Sequence, residues 1–337
     1  MGKQYTVAVV GAGDMGGQHV VGWTLAGHRV ATIADVDEPR ARELAAAHGV
    51  PNVVRDLSDV LADPAIDIVS LCVPLALHAP MTIAAAGAGK HVFCEKPLAR
   101  DFAEARAMEA AVTEAGVQFG IGFQRNLAPG VELLAGRARE GRFGRPLVFN
   151  SEAIAEVRPK RVMHDRYGNN GPIMDNGCHL YLLWQTVFDS VPVRVYAQGR
   201  ILARDRPELA HFKELAIDTA IVTVEYASGD LATLTTSWGL AANQKMRPRP
   251  DRVFGPQGGA EGTVNGDLTL YTGETVENIA LTPENLHAKE FTRFARSLDE
   301  GGAHHSGFRE GKEMLALTLA IFRSIETGQP EPVSYDF

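Results

Sequence analysis

The sequence predicts an α/β protein of two domains, a doubly wound parallel sheet followed by an α+β domain with a large, mostly antiparallel, open-faced sheet. Three observations predict this class. A glycine-rich turn follows the first apolar segment, strands and helices alternate up to about residue 124, and later segments alternate β-branched or aromatic residues with polar ones. The chain has 337 residues, 45% of them hydrophobic, which is enough for two cores, and we predict domains at 1–124 and 125–337.

The charge balance and the cysteines argue against several kinds of partner and location. The chain carries 33 Lys and Arg against 41 Asp and Glu, a net charge of -8, and has no basic run. Nucleic acids and anionic membrane surfaces reward clustered positive charge, so neither is expected as a partner. Three cysteines without a C-x-x-C spacing, and no apolar run of membrane-spanning length, predict a cytoplasmic protein with reduced thiols.

The first 124 residues alternate strands with helices that have clear start and stop signals. Pro39 lies in the first turn of one helix and Gly49 ends it. Asp101 and Glu104 form a capping-box-like start for another helix, which Gly116 ends. This alternation is typical of a parallel sheet with covered faces. The strands are predicted at 5–10, 29–34, 52–54, 66–72, 91–94 and 118–122.

The pattern changes after residue 124 to longer strands and fewer helices. The predicted elements are a helix near 129–140, a strand at 146–154, a polar loop at 155–171, a helix at 174–187, strands at 193–202, 217–226 and 231–238, and two C-terminal helices. The first of these two helices carries Phe291, Phe294 and Leu298 on one face. Helices on one face of this sheet leave its other face open, and self-association as a homodimer or homotetramer is the simplest cover.

The turn after the first strand reads Gly11-Ala-Gly13-Asp-Met-Gly16. In a G-x-G-x-x-G turn the first glycine permits the tight turn, the second lets the backbone approach a diphosphate, and the third lets the helix pack closely on the strand. The helix N-terminus then offers unpaired N–H groups to the diphosphate. Strand, turn and helix in this order predict a dinucleotide-binding Rossmann domain, with Asp14 and Met15 in the phosphate turn.

An acidic residue after the second strand bears on the choice of cofactor. Asp35 lies nineteen residues after Gly16, where a carboxylate accepts hydrogen bonds from both adenosine ribose hydroxyls. Because it would repel a 2′-phosphate, we predict NAD rather than NADP. Arg40 and Arg42 follow closely and are able to hold a 2′-phosphate, so NADP stays the less favoured alternative.

Two loops leave the predicted parallel sheet at the edge where ligands bind. The fifth strand ends in Glu95-Lys96-Pro97, so the Lys96 ammonium lies at the carboxyl end of the sheet. A second loop runs from Cys72 through Pro74 to His78, and its proline is suited to form a wall beside a nicotinamide. The alternative is that Lys96 is a solvated lysine of a strand-to-helix loop.

A carboxylate and an imidazole are spaced four residues apart in the helix predicted at 174–187. Asp175 and His179 would share one helical face, where the carboxylate orients the imidazole or tunes its basicity. On spacing alone, the simpler reading is an Asp175 that interacts with the helix dipole and a packed core imidazole at His179.

These motifs together resemble the Gfo/Idh/MocA oxidoreductases, whose members include glucose-fructose oxidoreductases and inositol dehydrogenases. The resemblance covers essentially the whole chain. It implies that Lys96, Asp175 and His179 form a catalytic triad that oxidises a sugar or cyclitol hydroxyl with NAD. It also implies a set of cofactor contacts, namely Gly11, Gly13, Asp14, Met15, Gly16, Asp35, Arg40, Cys72, Pro74, His78, Glu95, Lys96 and Gln124.

The substrate stays open at this stage. Family members often carry an acid a few residues after the histidine, whereas His179 is followed by apolar and aromatic residues up to Trp184. The polar loop before the triad helix is the predicted substrate lid. Trp238 is either a sugar-stacking ring or part of a subunit interface. The predicted substrate contacts are Lys96, Arg125, His164, Tyr167, Asp175, Asn176 and His179.

The mechanism and the overall function also keep alternatives. His179 would take the hydroxyl proton while Lys96 stabilises the oxygen, or Lys96 would take the proton itself if the positive nicotinamide lowers its pKa. The main hypothesis is an NAD-dependent dehydrogenase of sugars or cyclitols. The alternatives are a glycoside-cleaving enzyme that recycles its NAD, and an idle NAD-binding regulator. No metal site is predicted, because the adjacent His304 and His305 do not direct two imidazoles at one ion.

Overall fold

The computed structural model describes residues 2–244, 246–247, 249–302, 304 and 306–337, and it forms two compact units. His305, named above, lies outside the described residues. The first unit contains the chain up to Gln124 together with Asn285–Lys312 and Phe337, and the second contains Arg125–Glu284 and Glu313–Asp336. The sequence places everything after residue 124 in the second domain, so the position of Asn285–Lys312 differs from that prediction.

The first unit is built on a six-stranded parallel sheet, as predicted. Its strands are β1 (Thr6–Val10), β2 (Arg29–Ala34), β3 (Asn52–Val54), β4 (Ile68–Leu71), β5 (His91–Glu95) and β6 (Phe119–Gly122). Its helices between these strands are α1 (Asp14–Leu25), α2 (Glu38–His48), α3 (Leu57–Ala62), α4 (His78–Gly87) and α5 (Phe102–Ala115). The strand order is β3-β2-β1-β4-β5-β6, and it reverses between β1 and β4. Ligands of doubly wound sheets bind at the carboxyl ends of the strands beside such a reversal.

The predicted helix signals act as capping interactions. Asp101 accepts a hydrogen bond from the Glu104 N–H at 2.9 Å and so caps α5. Asp37 accepts from the Arg40 N–H at 3.3 Å at the start of α2. Gly49 and Gly116 end these helices in the left-handed conformation, with φ of 68° and 65°.

The second unit contains a nine-stranded sheet. Its helices α6 (Pro129–Arg139), α7 (Gly171–Asp175) and α8 (Gly177–Phe188) accompany strands β7 (Val148–Glu156), β8 (Pro192–Arg200), β9 (Thr219–Tyr226), β10 (Leu231–Leu240), β11 (Asp251–Gly255), β12 (Gly258–Gly262), β13 (Asp267–Thr272) and β14 (Thr275–Ala280). A short β15 (Glu331–Pro332) pairs with β8 and completes the order β14-β13-β12-β11-β7-β10-β9-β8-β15. Only β7 and β10 run parallel among these pairs, so the predicted mostly antiparallel sheet is confirmed.

Four of these strands, β11 to β14, were not predicted from the sequence. Glycines occupy several positions of β11 and β12, and glycine is depleted in strands because it has no side chain to pack on the pleated surface. Val253 of β11 and Ala260 of β12 are nevertheless buried, and the two strands pair antiparallel with these residues opposite one another. Pairing with neighbours, rather than local preference, therefore forms this part of the sheet.

The last two helices are α9 (Leu286–Glu300) and α10 (Phe308–Thr327). The apolar face of α9 packs on α1 within the first unit, where the Phe291 ring stacks on Trp23 with centroids 4.2 Å apart. Phe294 is fully buried in the same cluster. The sequence correctly indicates the buried face of α9 but not the core that receives it. In the described ranges, no helix is at once long and apolar enough to cross a membrane.

Candidate active site

The glycine-rich turn between β1 and α1 has the shape of a diphosphate cradle. Gly11 has φ +102°, and a Cβ there would lie 2.3 Å from the carbonyl oxygen of Cys72. A Cβ on Gly16 would lie 1.9 Å from the Gly11 carbonyl oxygen. Gly13 is the N-cap of α1 and brings no capping side chain, so the first N–H groups of the helix are left for an anion.

Asp35 is held at the end of β2 by two backbone donors. Its Oδ2 accepts from the Ala12 N–H at 2.6 Å and its Oδ1 from the Asp37 N–H at 2.8 Å. Each carboxylate oxygen retains a lone pair, so the fixed carboxylate is able to accept from two ribose hydroxyls. The cradle and this carboxylate fit the diphosphate and the adenosine ribose of NAD.

The two arginines after Asp35 differ in their surroundings. The Arg40 guanidinium lies beside the glycine-rich turn, since a Cβ on Gly13 would be 3.3 Å from its Nη2. Arg42 is instead paired with Glu38 on the same helix. Of the two cations that the sequence offers for a 2′-phosphate, Arg40 is the one beside the cradle.

A buried histidine joins the two loops at the carboxyl edge of the sheet. His78 Nδ1 lies 2.8 Å from the carbonyl oxygen of Pro97, and Nε2 lies 3.0 Å from that of Val73. Burial lowers the pKa of His78, against the effect of these two carbonyl oxygens. A neutral ring has one N–H, so it donates a hydrogen bond to only one of these two carbonyl oxygens. The buried ring nevertheless contacts both loops. His78 thus fastens the loop after β4 to Pro97, the residue after Lys96.

The half-buried Lys96 follows a fully buried acid, Glu95. The Glu95 Oε2 accepts from the Lys96 backbone N–H at 3.2 Å, and Oε1 lies 2.9 Å from His19 Nε2. Burial opposes ionisation of Glu95, but the His19 hydrogen bond and the charges of His19 and Lys96 outweigh it and hold the pKa at about 2. Glu95 is therefore an ionised carboxylate beneath the Lys96 loop.

Helix α9 brings two further titratable groups to this buried region. Burial lowers the pKa of His287 to about 4, with the His19 charge adding to the effect. Burial and the neighbouring Glu95 charge raise the pKa of Glu290 well above its ordinary value. His19, His287 and Glu290 were not predicted from the sequence. The sequence held a signal for Glu290, namely a carboxylate beside Phe291 and Phe294 on the apolar face of α9.

One group of side chains in the described part of the chain has donor atoms close enough for a metal ion. Single donor atoms of His19, Glu95 and His287 lie within 4.8 Å of one another. We assign His19 and Glu95 to a hydrogen-bond network, because His19 Nε2 and the Glu95 carboxylate are already joined directly.

In the second unit, Asp175 and His179 are both buried, but not in one continuous helix. Asn176 lies between α7 and α8 as the C-cap of one and the N-cap of the other. The predicted single helix is thus divided at Asn176, and α7 begins at Gly171, where the φ of +75° and the close Ile217 carbonyl oxygen require a glycine. Asp175 Oδ1 accepts from Asn169 Nδ2 at 3.2 Å, which ties it to the predicted lid.

The predicted lid contains one buried cluster and one exposed aromatic residue. His164 is buried, and its Nε2 accepts from the Arg158 N–H at 2.9 Å. The Arg158 guanidinium lies over the ring of the buried Trp238, 5.7 Å from its centroid. Burial lowers the pKa of His164, which favours the neutral ring. The ring packs within the loop, where it contacts Trp238. Tyr167 is 58% exposed and donates to Glu214.

Three further predicted site residues differ in exposure. Gln124 is half-buried, Arg125 is exposed, and both lie in a 3-10 turn at Gln124–Leu127. Asn176 is half-buried at the break between α7 and α8. Of the other predicted cofactor residues, Asp14 and Met15 lie in the first turn of α1, with Asp14 exposed, and Pro74 precedes the 3-10 turn at Leu75–Leu77.

The cradle at the sheet reversal and the fixed Asp35 carboxylate define a dinucleotide-binding protein of the Rossmann class. Residues 5–123 match the family described as "Oxidoreductase family, NAD-binding Rossmann fold", and residues 132–261 match the "GFO/IDH/MocA C-terminal domain". The chain belongs to the Gfo/Idh/MocA family, which confirms the resemblance that the motifs predict.

Known relatives agree with this assignment. The chain is 30% identical over 344 residues to the uncharacterized oxidoreductase YrbE of Bacillus subtilis (strain 168), covering 99% of this chain and 98% of YrbE. It is 28% identical over 242 residues to scyllo-inositol 2-dehydrogenase (NAD(+)) of the same strain, covering 70% and 69%. A solved levoglucosan dehydrogenase in complex with NADH shares the fold, with a TM-score of 0.87, 21% identity and coverage of 98% and 100%.

Proposed function

We propose that this protein is a dehydrogenase that transfers a hydride between a secondary hydroxyl of a sugar or cyclitol and the nicotinamide of NAD. The observation that carries the proposal is the placement of Lys96 directly after β5, at the carboxyl edge of the NAD-binding sheet, with His78 fastening the next residue to the β4 loop. An ammonium at that edge suits an oxygen on which negative charge develops. The names of the inositol and levoglucosan enzymes support a polyol substrate.

Within this proposal, three residues of the chain handle the proton and the charge. NAD supplies the hydride acceptor when it is bound. Lys96 donates a hydrogen bond to the substrate oxygen, and His179 accepts the hydroxyl proton as the carbon–hydrogen bond breaks. Asp175 orients His179 and is itself held by Asn169. Oxidation thus yields a carbonyl product, a reduced cofactor and one proton on the enzyme.

Apart from Lys96, the proposed substrate contacts lie in the second unit. Exposed Arg125 and Tyr167 and half-buried Asn176 are able to offer polar groups to a polyol. His164 has its Nε2 occupied by the Arg158 N–H, so we assign it the role of shaping the loop rather than of binding a hydroxyl. The exposed face of the nine-stranded sheet is the proposed surface for self-association.

The test of the reaction class is a panel of inositols, aldoses, polyols and glycosides assayed in parallel with NAD and NADP. We expect NADH to accumulate with at least one free sugar or cyclitol. Release of an aglycone without a change in nicotinamide absorbance would instead indicate NAD-recycling cleavage. Binding of NAD without any turnover across the panel would contradict the proposal.

The role of Lys96 is tested by Lys96→Ala. Loss of the ammonium should lower kcat by about a hundredfold or more, which is the usual contribution of a positioned proton donor or acceptor. The Kd for NAD should stay within about twofold, because the diphosphate cradle is formed by backbone groups. Exposed Lys3→Ala is the matched control. Loss of NAD binding in the Lys96 variant would assign the lysine to the cofactor instead.

A further inference from the structure

A chain of buried hydrogen bonds ends at the carboxylate beneath Lys96. Trp23 Nε1 donates to Ser70 Oγ at 2.9 Å, and Ser70 Oγ lies 2.8 Å from His19 Nδ1. His19 Nε2 then lies 2.9 Å from Glu95 Oε1. The indole only donates and an ionised carboxylate only accepts. In a neutral ring the order is indole to hydroxyl, hydroxyl to Nδ1, and Nε2–H to Glu95, whereas a protonated ring donates from both nitrogens. In either state Nε2–H is directed at Glu95.

Within this series of hydrogen bonds, His19 is the side chain that donates to Glu95. The Glu95 side chain is almost wholly buried, and an isolated buried carboxylate takes up a proton rather than remain charged. The groups that face it are His19 from α1, the adjoining Lys96, and His287 and Glu290 from α9. His287 is a poor source of positive charge because burial lowers its pKa to about 4, and Glu290, whose raised pKa favours the neutral acid, supplies none.

We propose that His19 is a positioning residue for the reaction: its Nε2–H keeps the Glu95 carboxylate ionised, and that negative charge keeps Lys96 in the ammonium form. The proposal rests on the proposed role of Lys96 as the group that stabilises the substrate oxygen. Removing the His19 donor lets Glu95 bind a proton, and the lysine then loses the fixed negative charge beside it. His19 contacts neither substrate nor cofactor in this account.

Two conservative substitutions separate this role from simple space-filling. His19→Gln places an amide N–H near the position of Nε2 and retains the bond to Glu95. His19→Asn places its amide near the position of Nδ1, toward Ser70, and loses the bond to Glu95. Both variants remove the ring from the contact with Phe291, whose centroid lies 4.9 Å away, so both carry a similar packing cost.

The test measures the charge state of Lys96 without substrate. The purified protein, in the presence of EDTA, is pulse-labelled with an amine-acylating reagent at a series of pH values, and labelling of Lys96 is quantified by mass spectrometry. We expect the midpoint of Lys96 labelling to fall by about one pH unit in His19→Asn and in Glu95→Gln, because the lysine then loses an opposite charge with which it interacts. His19→Gln should restore the wild-type midpoint.

The double variant His19→Asn/Glu95→Gln completes a double-mutant cycle with the two single variants. If His19 acts through Glu95, the double variant should show the midpoint of Glu95→Gln alone. His28→Gln is the matched control, since the His28 ring also packs edge-on against Trp23, with centroids 5.6 Å apart, and hydrogen-bonds the Tyr5 N–H away from Glu95. Thermal unfolding of each variant shows whether it is folded under the labelling conditions.

An unchanged Lys96 midpoint in folded His19→Asn would overturn the inference, as would equal shifts in the Gln and Asn variants. Labelling needs no turnover, so a chain that oxidises no sugar in the panel is still able to show the shift, and the two proposals fail separately. In an active enzyme, His19→Asn should also move the acidic or basic limb of the kcat profile against pH, whereas a purely structural defect would lower kcat at all pH values alike.

Discussion

At the residue scale, Asp35 is the side chain on which we expect the choice between NAD and NADP to depend. Two backbone N–H groups fix its carboxylate, and Arg40 lies beside the glycine-rich turn. The family match establishes NAD binding, in agreement with the sequence prediction. The carboxylate favours a ribose with two free hydroxyls and opposes a 2′-phosphate, whereas the arginine would attract one.

Replacing Asp35 with Ser should therefore weaken NAD binding and improve NADP binding. Loss of hydrogen bonds to a charged group costs about 1.5–3 kcal/mol, so the Kd for NAD should rise roughly tenfold to a hundredfold. Calorimetric titration with both cofactors measures the ratio. Exposed Asp56→Ser is the matched control. An unchanged NAD to NADP ratio would show that Asp35 does not contact the adenosine ribose.

Glu290 leads to a prediction about stability and pH. Its ordinary pKa is about 4.3, and burial raises the folded pKa well above that value. Between these two values the folded chain holds a proton that the unfolded chain has lost, so stability falls as pH rises, by about 1.4 kcal/mol per pH unit. Glu290→Gln removes this loss, and its advantage over wild type should grow as pH rises above about 5.

Chemical unfolding of wild type and Glu290→Gln across this pH range tests the sign. The exposed Glu300→Gln at the end of the same helix is the control and should leave the pH dependence unchanged. Parallel stability curves for Glu290→Gln and wild type would mean that Glu290 is ionised in the folded protein.

At the element scale, α9 shows what amphipathicity does and does not determine. Its apolar residues recur at helical spacing, and this predicts both the helix and its buried face. The partner of that face is α1, some 270 positions earlier in the chain, and the stacked pair is Trp23 with Phe291. Periodicity carries no information about which core receives the face, and α9 was therefore predicted to lie in the second domain.

Truncation of Phe291 to Ala should destabilise the first unit. Loss of a fully buried aromatic ring costs about 3–5 kcal/mol. Hydrogen exchange measured by mass spectrometry should rise in peptides of β1 and α1 and change little in β9 and β10. Phe254→Ala, at a residue that is 44% exposed in β11, is the matched control. Faster exchange confined to β9 and β10 would contradict the grouping of α9 with the first unit.

At the scale of the whole molecule, the nine-stranded sheet exposes apolar side chains on one face. Ile221 is 62% exposed and Tyr196 is 40% exposed, and their strands β8 and β9 are neighbours. Patches of this kind on a sheet mark association surfaces. We predict a homo-oligomer through this face, in line with the expectation from the sequence.

Light scattering after gel filtration should give a mass that is two or four times 36.3 kDa. Ile221→Asp should lower that mass, because it buries a charge in the proposed interface. The control is Leu25→Asp in α1, which changes a residue that is 63% exposed in the first unit. A wild-type chain of monomeric mass at micromolar concentration would contradict the prediction.

The sequence by itself determined the Rossmann sheet, its helix caps, the glycine cradle and the position of Lys96, because each depends on neighbours within a few residues. Asp175 and His179 were predicted as site residues from the family resemblance, and the break at Asn176 between them was not predicted. The tertiary structure alone decided the pairing of β11 to β14, the core that receives α9, and the hydrogen-bond chain from Trp23 to Glu95. These features join residues far apart in the chain, and no local pattern records which distant partner will satisfy a buried polar group or an apolar face.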